Sequence, residues 1–95
     1  MLTFTWDKQK ALANLNKHGV SFEEAQTVFF DDHARLIADP DHSDEEDRFI
    51  ILGLSAGLNL LVVCHCYRQD DMTIRLISAR KAGRNEAEQY RRHRT

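Results

Sequence analysis

Histidine and basic side chains fall at the ends of several predicted helices and strands of this 95-residue sequence. Lys17 and His18 close a first predicted helix, while Arg80 and Lys81 end the last strand before the chain turns into a terminal helix. Such groups transfer protons near neutral pH and stabilise developing negative charge. The pattern predicts a site for acid–base chemistry, in which the guanidinium of Arg80 could grip a phosphate group with two parallel hydrogen bonds.

Each of these residues also has a purely structural explanation. Basic residues in a last helical turn complement the helix dipole and its free carbonyls, which would account for Lys17 and His18. Arg80 and Lys81 could simply be a solvated strand end. Arg48 begins a strand beside the presumed site and is a candidate phosphate contact, unless nearby Glu45 or Glu46 pairs with it.

His65 lies on the longest predicted strand, whose alternate residues point to opposite faces of the sheet. The even-numbered face is the more apolar, so we expect it to pack on the helices and to leave His65 and Tyr67 on the open surface. A buried structural histidine is the alternative. The two faces consist of Leu61, Val63, His65 and Tyr67 on one side and Leu60, Val62, Cys64 and Cys66 on the other.

No metal or cofactor is predicted. Cys64 and Cys66 flank His65, but the histidine points to the opposite face of the strand, so the three cannot share an ion. His42 stands among acids in the segment 39–47, without the spacing of a calcium-binding loop. We expect both cysteines to be reduced thiols, because their spacing on one strand does not suit a disulfide.

Charge is unevenly distributed although the formal net charge is only −2. Residues 39–47 contain six acids and no Lys or Arg, whereas residues 75–95 contain seven bases and two acids. A phosphate backbone responds to the local potential within about 10 Å, so the basic last third could still bind a polyanion.

The length and composition predict one soluble domain over residues 1–95. The uncharged run 49–67 is interrupted by Gly53, Ser55, Gly57 and Asn59, which favours strands over a membrane span. The first residues lack the pattern of a signal peptide, so we expect a cytoplasmic protein with no membrane association.

Hydrophobic periodicity predicts an α+β fold. A short strand ends before Asp7, which caps a helix over 8–18 with Leu12 and Leu15 inside and Gly19 as its C-terminal stop. Ser21 and Glu24 form a capping box for a second helix that continues to Phe30. An antiparallel meander follows, with strands over 34–38, 48–54, 58–68 and 72–81. Gly83 then precedes a weakly anchored helix over 84–93. We expect all the helices to lie on one face of the sheet.

Several blocks resemble the BrnT toxin family in order and over nearly the whole length. These blocks are FTWD at 4–7, KHGVSFEEA at 17–25, DPDHS at 39–43, RF at 48–49 and ISARKA at 77–82. The resemblance implies a RelE-like fold and a type II toxin that inhibits translation by cleaving RNA. Because the candidate residues contain no ligand set for a catalytic metal, we expect the cleavage to need no metal. The resemblance also implies a cognate BrnA-like antitoxin, which would be the component that binds operator DNA. Gly83 departs from the Thr that relatives commonly carry as the cap of the last helix.

The resemblance also strengthens the candidate site. A metal-independent ribonuclease must deprotonate a 2′-hydroxyl, stabilise a phosphorane and protonate the leaving oxygen. The predicted catalytic residues are Lys17, His18, His65 and Arg80, and the predicted RNA contacts are Arg48, Tyr67, Arg68, Lys81 and Arg84.

Two other functions fit parts of the sequence. The first is a non-catalytic module on the same fold that binds RNA or an acidic protein through its basic tail. The second is DNA binding by residues 75–95, which is disfavoured because no partner helix stands at helix-turn-helix spacing.

Overall fold

The computed structural model describes residues 2–38, 48–68 and 72–94. The acidic segment 39–47 and the predicted turn 69–71 lie outside the described residues. The elements follow the order expected from the sequence, and a mixed α+β fold is confirmed. They are β1 (Thr3–Thr5), α1 (Lys8–His18), α2 (Phe22–Gln26), a single 3-10 turn (Thr27–Phe30), β2 (Arg35–Ala38), β3 (Phe49–Leu54), β4 (Leu60–Tyr67), β5 (Thr73–Lys81) and α3 (Arg84–Arg94).

The five strands form one sheet in the order β1-β5-β4-β3-β2. The four strands from β2 to β5 are antiparallel neighbours, which the short connections predicted for the last three of them. β1 joins the free edge of β5 and runs parallel to it, with Thr3 opposite Thr73 and Thr5 opposite Arg75. The N-terminal strand therefore extends the sheet beside the last strand.

The helices α1 and α2 begin where side chains satisfy their first amides. Asp7 accepts hydrogen bonds from the backbone of Gln9 at 2.8 Å and Lys10 at 3.2 Å, and Ser21 Oγ accepts one from Glu24 N at 3.0 Å. Gly19 ends α1 in the left-handed conformation at φ 70°, as predicted. These caps fix the position of both helices along the chain.

One face of the sheet packs under α1 and α2 and forms the main core. Gly53 lets the 3-10 turn lie close to β3, because a Cβ added there would be 2.8 Å from Val28 Cγ1. The buried residues of this core are Val20, Phe22, Ala25, Val28, Ile51, Leu61, Val63, Ile74, Leu76 and Ala79. The core face of β4 is therefore its odd-numbered face, and the expectation that the even-numbered face packs on these helices is wrong.

The other face of the sheet is partly covered by α3, so the helices do not all lie on one side as expected. Tyr90 is 4% exposed and packs with Leu52 and Val62 in a second, smaller core. Its hydroxyl donates a 2.6 Å hydrogen bond to Asp31. Tyr90 is the buried residue of α3, so the apolar anchoring of this helix is as sparse as expected, and the hydrogen bond to Asp31 adds a polar contact to it.

A β-bulge interrupts the pairing of β4 with β5. Cys64 pairs with Ser78 but His65 pairs with Leu76, so Ile77 is an extra residue in β5. The bulge reverses the alternation of side chains in the second half of the strand. As a result Ala79 faces the main core, while Ser78 and Arg80 face the side of the sheet that carries α3.

Helix α1 presents a different face to the sheet from the one predicted. Leu12 and Leu15 were expected inside, but they are 64% and 44% exposed. The inward residues include Asn14, which is buried and bonded to β5, and Ala11, which packs against the main core. The two leucines therefore lie on the outer surface of the helix.

Candidate active site

A cleft of about 280 Å³ opens on the sheet face that carries α3. Three residues predicted from the sequence meet there: His18 from the end of α1, Arg48 at the start of β3 and Arg80 near the end of β5. The remaining lining comes from Ile50, Val62, Cys64, Ile77, Ser78 and Ala79. One imidazole and two guanidinium groups thus surround a partly apolar floor, a set suited to holding an anion and moving a proton.

Arg80 is fixed by an ion pair with the last helix. Its Nη1 and Nη2 donate to the two carboxylate oxygens of Glu86 at 2.8 and 2.7 Å. These bonds raise the pKa of Arg80 and, together with a hydrogen bond from Gly83 N, lower the pKa of Glu86. The side chain of Arg80 remains 45% exposed, so the guanidinium keeps donors for a ligand.

The position of His18 depends on Asn14, one helical turn earlier on the same face of α1. Asn14 Nδ2 donates to the carbonyl oxygens of Ala79 at 2.8 Å and Val20 at 3.0 Å, and its Oδ1 accepts from Ala79 N at 3.0 Å. Strand β1 pairs with the first part of β5, at residues 73–75. Farther along the same edge, the side-chain amide of Asn14 forms the hydrogen bonds that a neighbouring strand would form. It joins the helix that carries His18 to the strand position adjacent to Arg80.

His65 lies in the main core, and its predicted place on the open face is wrong. It is 0% exposed, and its ring packs edge-on against Phe29 at 4.7 Å and Tyr67 at 5.3 Å between centroids. Its Nδ1 lies 3.2 Å from the carbonyl oxygen of Val63, whereas Nε2 has no hydrogen-bond partner. Burial lowers its pKa to about 4, so the imidazole is neutral at pH 7. Tyr67 faces the same side.

The other predicted site residues do not line this cleft. Lys81 pairs with Leu61, so it lies on the α2 side, where its charge helps lower the pKa of Glu24 after the hydrogen bonds from Ser55 and Asn59. Lys17 and Arg84 are exposed near the ends of α1 and α3. Arg68 lines a separate cleft farther along the sheet.

Sequence reasoning missed three residues around the cleft. Ser78 and Cys64 line it, and Ser78 belongs to the ISARKA block although its side chain was not predicted to be part of the site. Asn14 was missed because it occurs in a helix between two leucines that suggested a different inner face. The signal that could have revealed Asn14 is its spacing from His18, since residues four apart lie on the same face of a helix.

Two properties of the described residues bear on the class of protein. Within ranges 2–38, 48–68 and 72–94, no group of three or more His, Cys, Asp or Glu side chains is placed to hold a metal ion. No helix in the same ranges is long and apolar enough to cross a membrane. Fold and site together define a small α+β protein with a cationic cleft on a half-covered sheet.

Comparison with known proteins identifies the family. Residues 6–86 match the model of the ribonuclease toxin BrnT of type II toxin–antitoxin systems. The chain also resembles the crystal structure of the Brucella abortus ribonuclease toxin BrnT, with a TM-score of 0.65 and 23% identity over 88% of this chain and 100% of that one. No curated protein matches the sequence. The chain belongs to the BrnT family of ribonuclease toxins, as its sequence blocks indicated.

Proposed function

We propose that this ribonuclease toxin cleaves RNA in the cleft formed by His18, Arg48 and Arg80, by acid–base chemistry that uses no metal. The observation that supports this site is the meeting of the three side chains, from three distant parts of the sequence, in one cleft. Imidazole and guanidinium groups supply proton transfer and charge stabilisation, which are the needs of this reaction.

The reaction that these groups suit is attack by a ribose 2′-hydroxyl on the adjacent phosphorus. The hydroxyl gives its proton to a base as the new P–O bond forms, and the bond from phosphorus to the 5′-oxygen breaks as that oxygen receives a proton. The products are a 2′,3′-cyclic phosphate and a 5′-hydroxyl. His18 carries one of the two proton transfers and solvent water the other, while Arg48 and Arg80 stabilise the doubly charged phosphorane.

Lys17 is proposed as a second charged group beside the site, since it is adjacent to His18 at the exposed end of α1. His65 is proposed as a structural residue, because a neutral ring enclosed by aromatic side chains has no path to substrate. Tyr67 and Lys81 are proposed to lie outside the RNA contacts, because both are on the face of the sheet that packs against α1 and α2. Arg84 is proposed as a contact only if RNA extends to the start of α3.

The partner of the toxin is an antitoxin, as the family implies. We propose that it is BrnA-like and that any contact of the complex with operator DNA is made by it. The RelE-like assignment of the fold and the cytoplasmic location stay predictions.

The test is RNA cleavage by the purified protein with His18→Ala and the matched variant His33→Ala, which alters an exposed histidine in the turn before β2. We expect wild type and His33→Ala to leave 2′,3′-cyclic phosphate ends equally well in the presence and absence of excess chelator, and His18→Ala to be at least a hundredfold slower. Activity lost in chelator and restored by a divalent ion would contradict the metal-free reaction. A wild-type protein that binds RNA without cleaving it would favour the alternative, a non-catalytic binding module.

A further inference from the structure

A second cleft, of about 490 Å³, lies at the other end of strand β5. It contains two arginines with exposed or half-exposed side chains, Arg68 after β4 and Arg75 in β5. Among the described residues its lining consists of Thr5, Trp6, Asp7, Arg68, Thr73 and Arg75. None of these residues lines the cleft of His18, so the two clefts are distinct.

Both clefts open on the same face of the sheet. Arg75 pairs with Cys66, and Cys66 lies two residues from Cys64 on β4, so all three point to the same side. Cys64 lines the first cleft. Thr5 and Thr73 share this face because Thr5 pairs with Arg75, and Thr73 precedes Arg75 by two residues.

The bulge at Ile77 is what aligns the two basic positions. Without the extra residue, Arg75 and Arg80 would point to opposite faces, since their positions differ by an odd number. Because of the extra residue, Arg75 and Arg80 lie on the same face of the sheet. On that face α3 packs over Leu52 of β3 and Val62 of β4.

The second cleft has the chemistry of a phosphate site. Two guanidinium groups provide fixed, permanently charged donors, and threonine hydroxyls are common additional donors to nucleic-acid phosphates. The acid among its described lining residues is Asp7, whose Oδ1 accepts two backbone N–H groups as the cap of α1. Trp6 forms part of the wall and packs edge-on against Phe22 at 5.9 Å between centroids.

We propose that the cleft of Arg68 and Arg75 binds a backbone phosphate of the same RNA strand whose reacting bond lies at His18, Arg48 and Arg80. The inference rests on the proposed catalytic site and adds a requirement for substrate length. The β4 partners of Arg75 and Arg80 are Cys66 and Val62, four residues apart, so the two arginine positions are about 13 Å apart at roughly 3.3 Å per residue. A strand stacked at about 3.4 Å per nucleotide covers that distance in about four nucleotides, and a more extended one in fewer.

The experiment compares wild type with the double variant Arg68→Gln/Arg75→Gln, which keeps polar side chains of moderate length. The control is Arg35→Gln, which changes an exposed arginine at the start of β2, the opposite edge of the sheet. Each protein is given oligoribonucleotides of two to twelve nucleotides that contain a sequence cleaved by wild type. Far-ultraviolet circular dichroism verifies that the variants are folded.

For wild type and Arg35→Gln we expect kcat/KM to rise with length and to level off when the strand reaches the second cleft. The double variant should match wild type on the dinucleotide and lose tenfold or more on long RNA, mainly through a higher KM. Equal kinetics of wild type and double variant at every length would overturn the proposal. A double variant that is equally impaired on the dinucleotide would also overturn it, because the effect would then lie in the catalytic cleft.

Binding to 2′-O-methyl RNA, which lacks the attacking hydroxyl, separates this proposal from the proposed reaction. Fluorescence anisotropy should show that affinity falls in the double variant, and that the slope of log affinity against log salt becomes shallower by about 0.7 for each phosphate that the protein no longer neutralises. That result supports the second site even if cleavage turns out to use another mechanism. Unchanged affinity and slope refute it, whatever the fate of the catalytic proposal. If the single-arginine variants are used because the double variant does not fold, each should show part of the same decrease in affinity.

Discussion

His65 shows how burial converts a residue with catalytic potential into part of the core. The ring packs against Phe29, Phe49 and Tyr67, and its charged form would have to be accommodated among them without a partner for Nε2. Desolvation therefore lowers its pKa to about 4, although the contact with the Val63 carbonyl opposes the shift.

This burial predicts a particular dependence of stability on pH. Between about pH 6.5 and pH 4 the unfolded chain binds a proton at His65 that the folded chain excludes, so the free energy of unfolding falls as the pH is lowered through this window. The loss is on the order of 3 kcal/mol, at about 1.4 kcal/mol per pH unit. Urea unfolding of wild type and His65→Phe from pH 7.5 to 4.5 measures it. The substituted ring suits the aromatic surroundings, and a profile as steep as that of wild type would show that another group is responsible.

Arg80 has two functions that can be separated by substitution. Its ion pair with Glu86 joins β5 to α3, but the pair is partly exposed, so its loss should cost no more than about 1 kcal/mol. Removal of a donor to the phosphorane should instead slow the reaction by about a hundredfold or more. We expect Arg80→Ala to remain folded and to lose activity to this extent.

Arg91→Ala is the matched control for Arg80→Ala. Arg91 also pairs with an acid of α3, Glu88 at 2.9 Å, but it does not line the cleft. Cleavage assays with thermal melts on both variants test the prediction. If folded Arg80→Ala protein cleaves RNA as fast as Arg91→Ala protein, Arg80 is not a catalytic residue.

At the scale of helices and strands, the features that could be predicted from the sequence are those set by residues close together in the chain. The caps Asp7, Ser21 and Gly19 could be predicted because capping uses residues close in the chain. The faces of the elements were harder to predict. Both sides of β4 are apolar because α3 covers one of them, and alternation alone could not show which side receives α1 and α2.

The bulge explains the remaining errors in the site. In an unbroken β5, strict alternation would place Lys81 on the same face as Arg75 and Arg80 on the opposite face. The bulge exchanges these two positions, so that Arg80 shares the face of Arg75. The apolar residues Ile74, Leu76, Ile77 and Ala79 do contain the signal, as a shift of one position in the alternating pattern. Convergence of His18, Arg48 and Arg80 was accessible only through their sequence blocks, since they are far apart along the chain.

The docking of α1 on β5 should depend strongly on Asn14. In Asn14→Ala the buried N–H and carbonyl of Ala79 lose the side-chain partner that they have in the wild type. We expect a loss of roughly 2–6 kcal/mol in the free energy of unfolding, since each of the two buried polar groups left unpaired costs about 1–3 kcal/mol. Asn16→Ala is the control, because Asn16 is an exposed residue of the same helix. Equal urea midpoints for the two variants would show that the amide does not hold the helix.

For the molecule as a whole, the net charge of −2 hides a strongly polarised surface. The open sheet face carries Arg80 and Arg48 in one cleft and Arg68 and Arg75 in the other. The opposite side is closed by α1 and α2, and the exposed Leu12 and Leu15 lie on α1. RNA and an acidic inhibitor would therefore favour the same arginine-rich face, and a partner that binds apolar surface would favour α1.

We expect the antitoxin to act by covering the arginine-rich face. Its binding should protect backbone amides of β5 around Ser78–Arg80 and of α3 from hydrogen exchange, and it should displace 2′-O-methyl RNA competitively. High salt should slow formation of the complex more than it shortens its lifetime, because long-range charge acts chiefly on encounter. Stopped-flow association and exchange mass spectrometry measure these effects. Protection confined to α1, around Leu12 and Leu15, with RNA still bound, would mean that the antitoxin silences the toxin from the other side of the sheet.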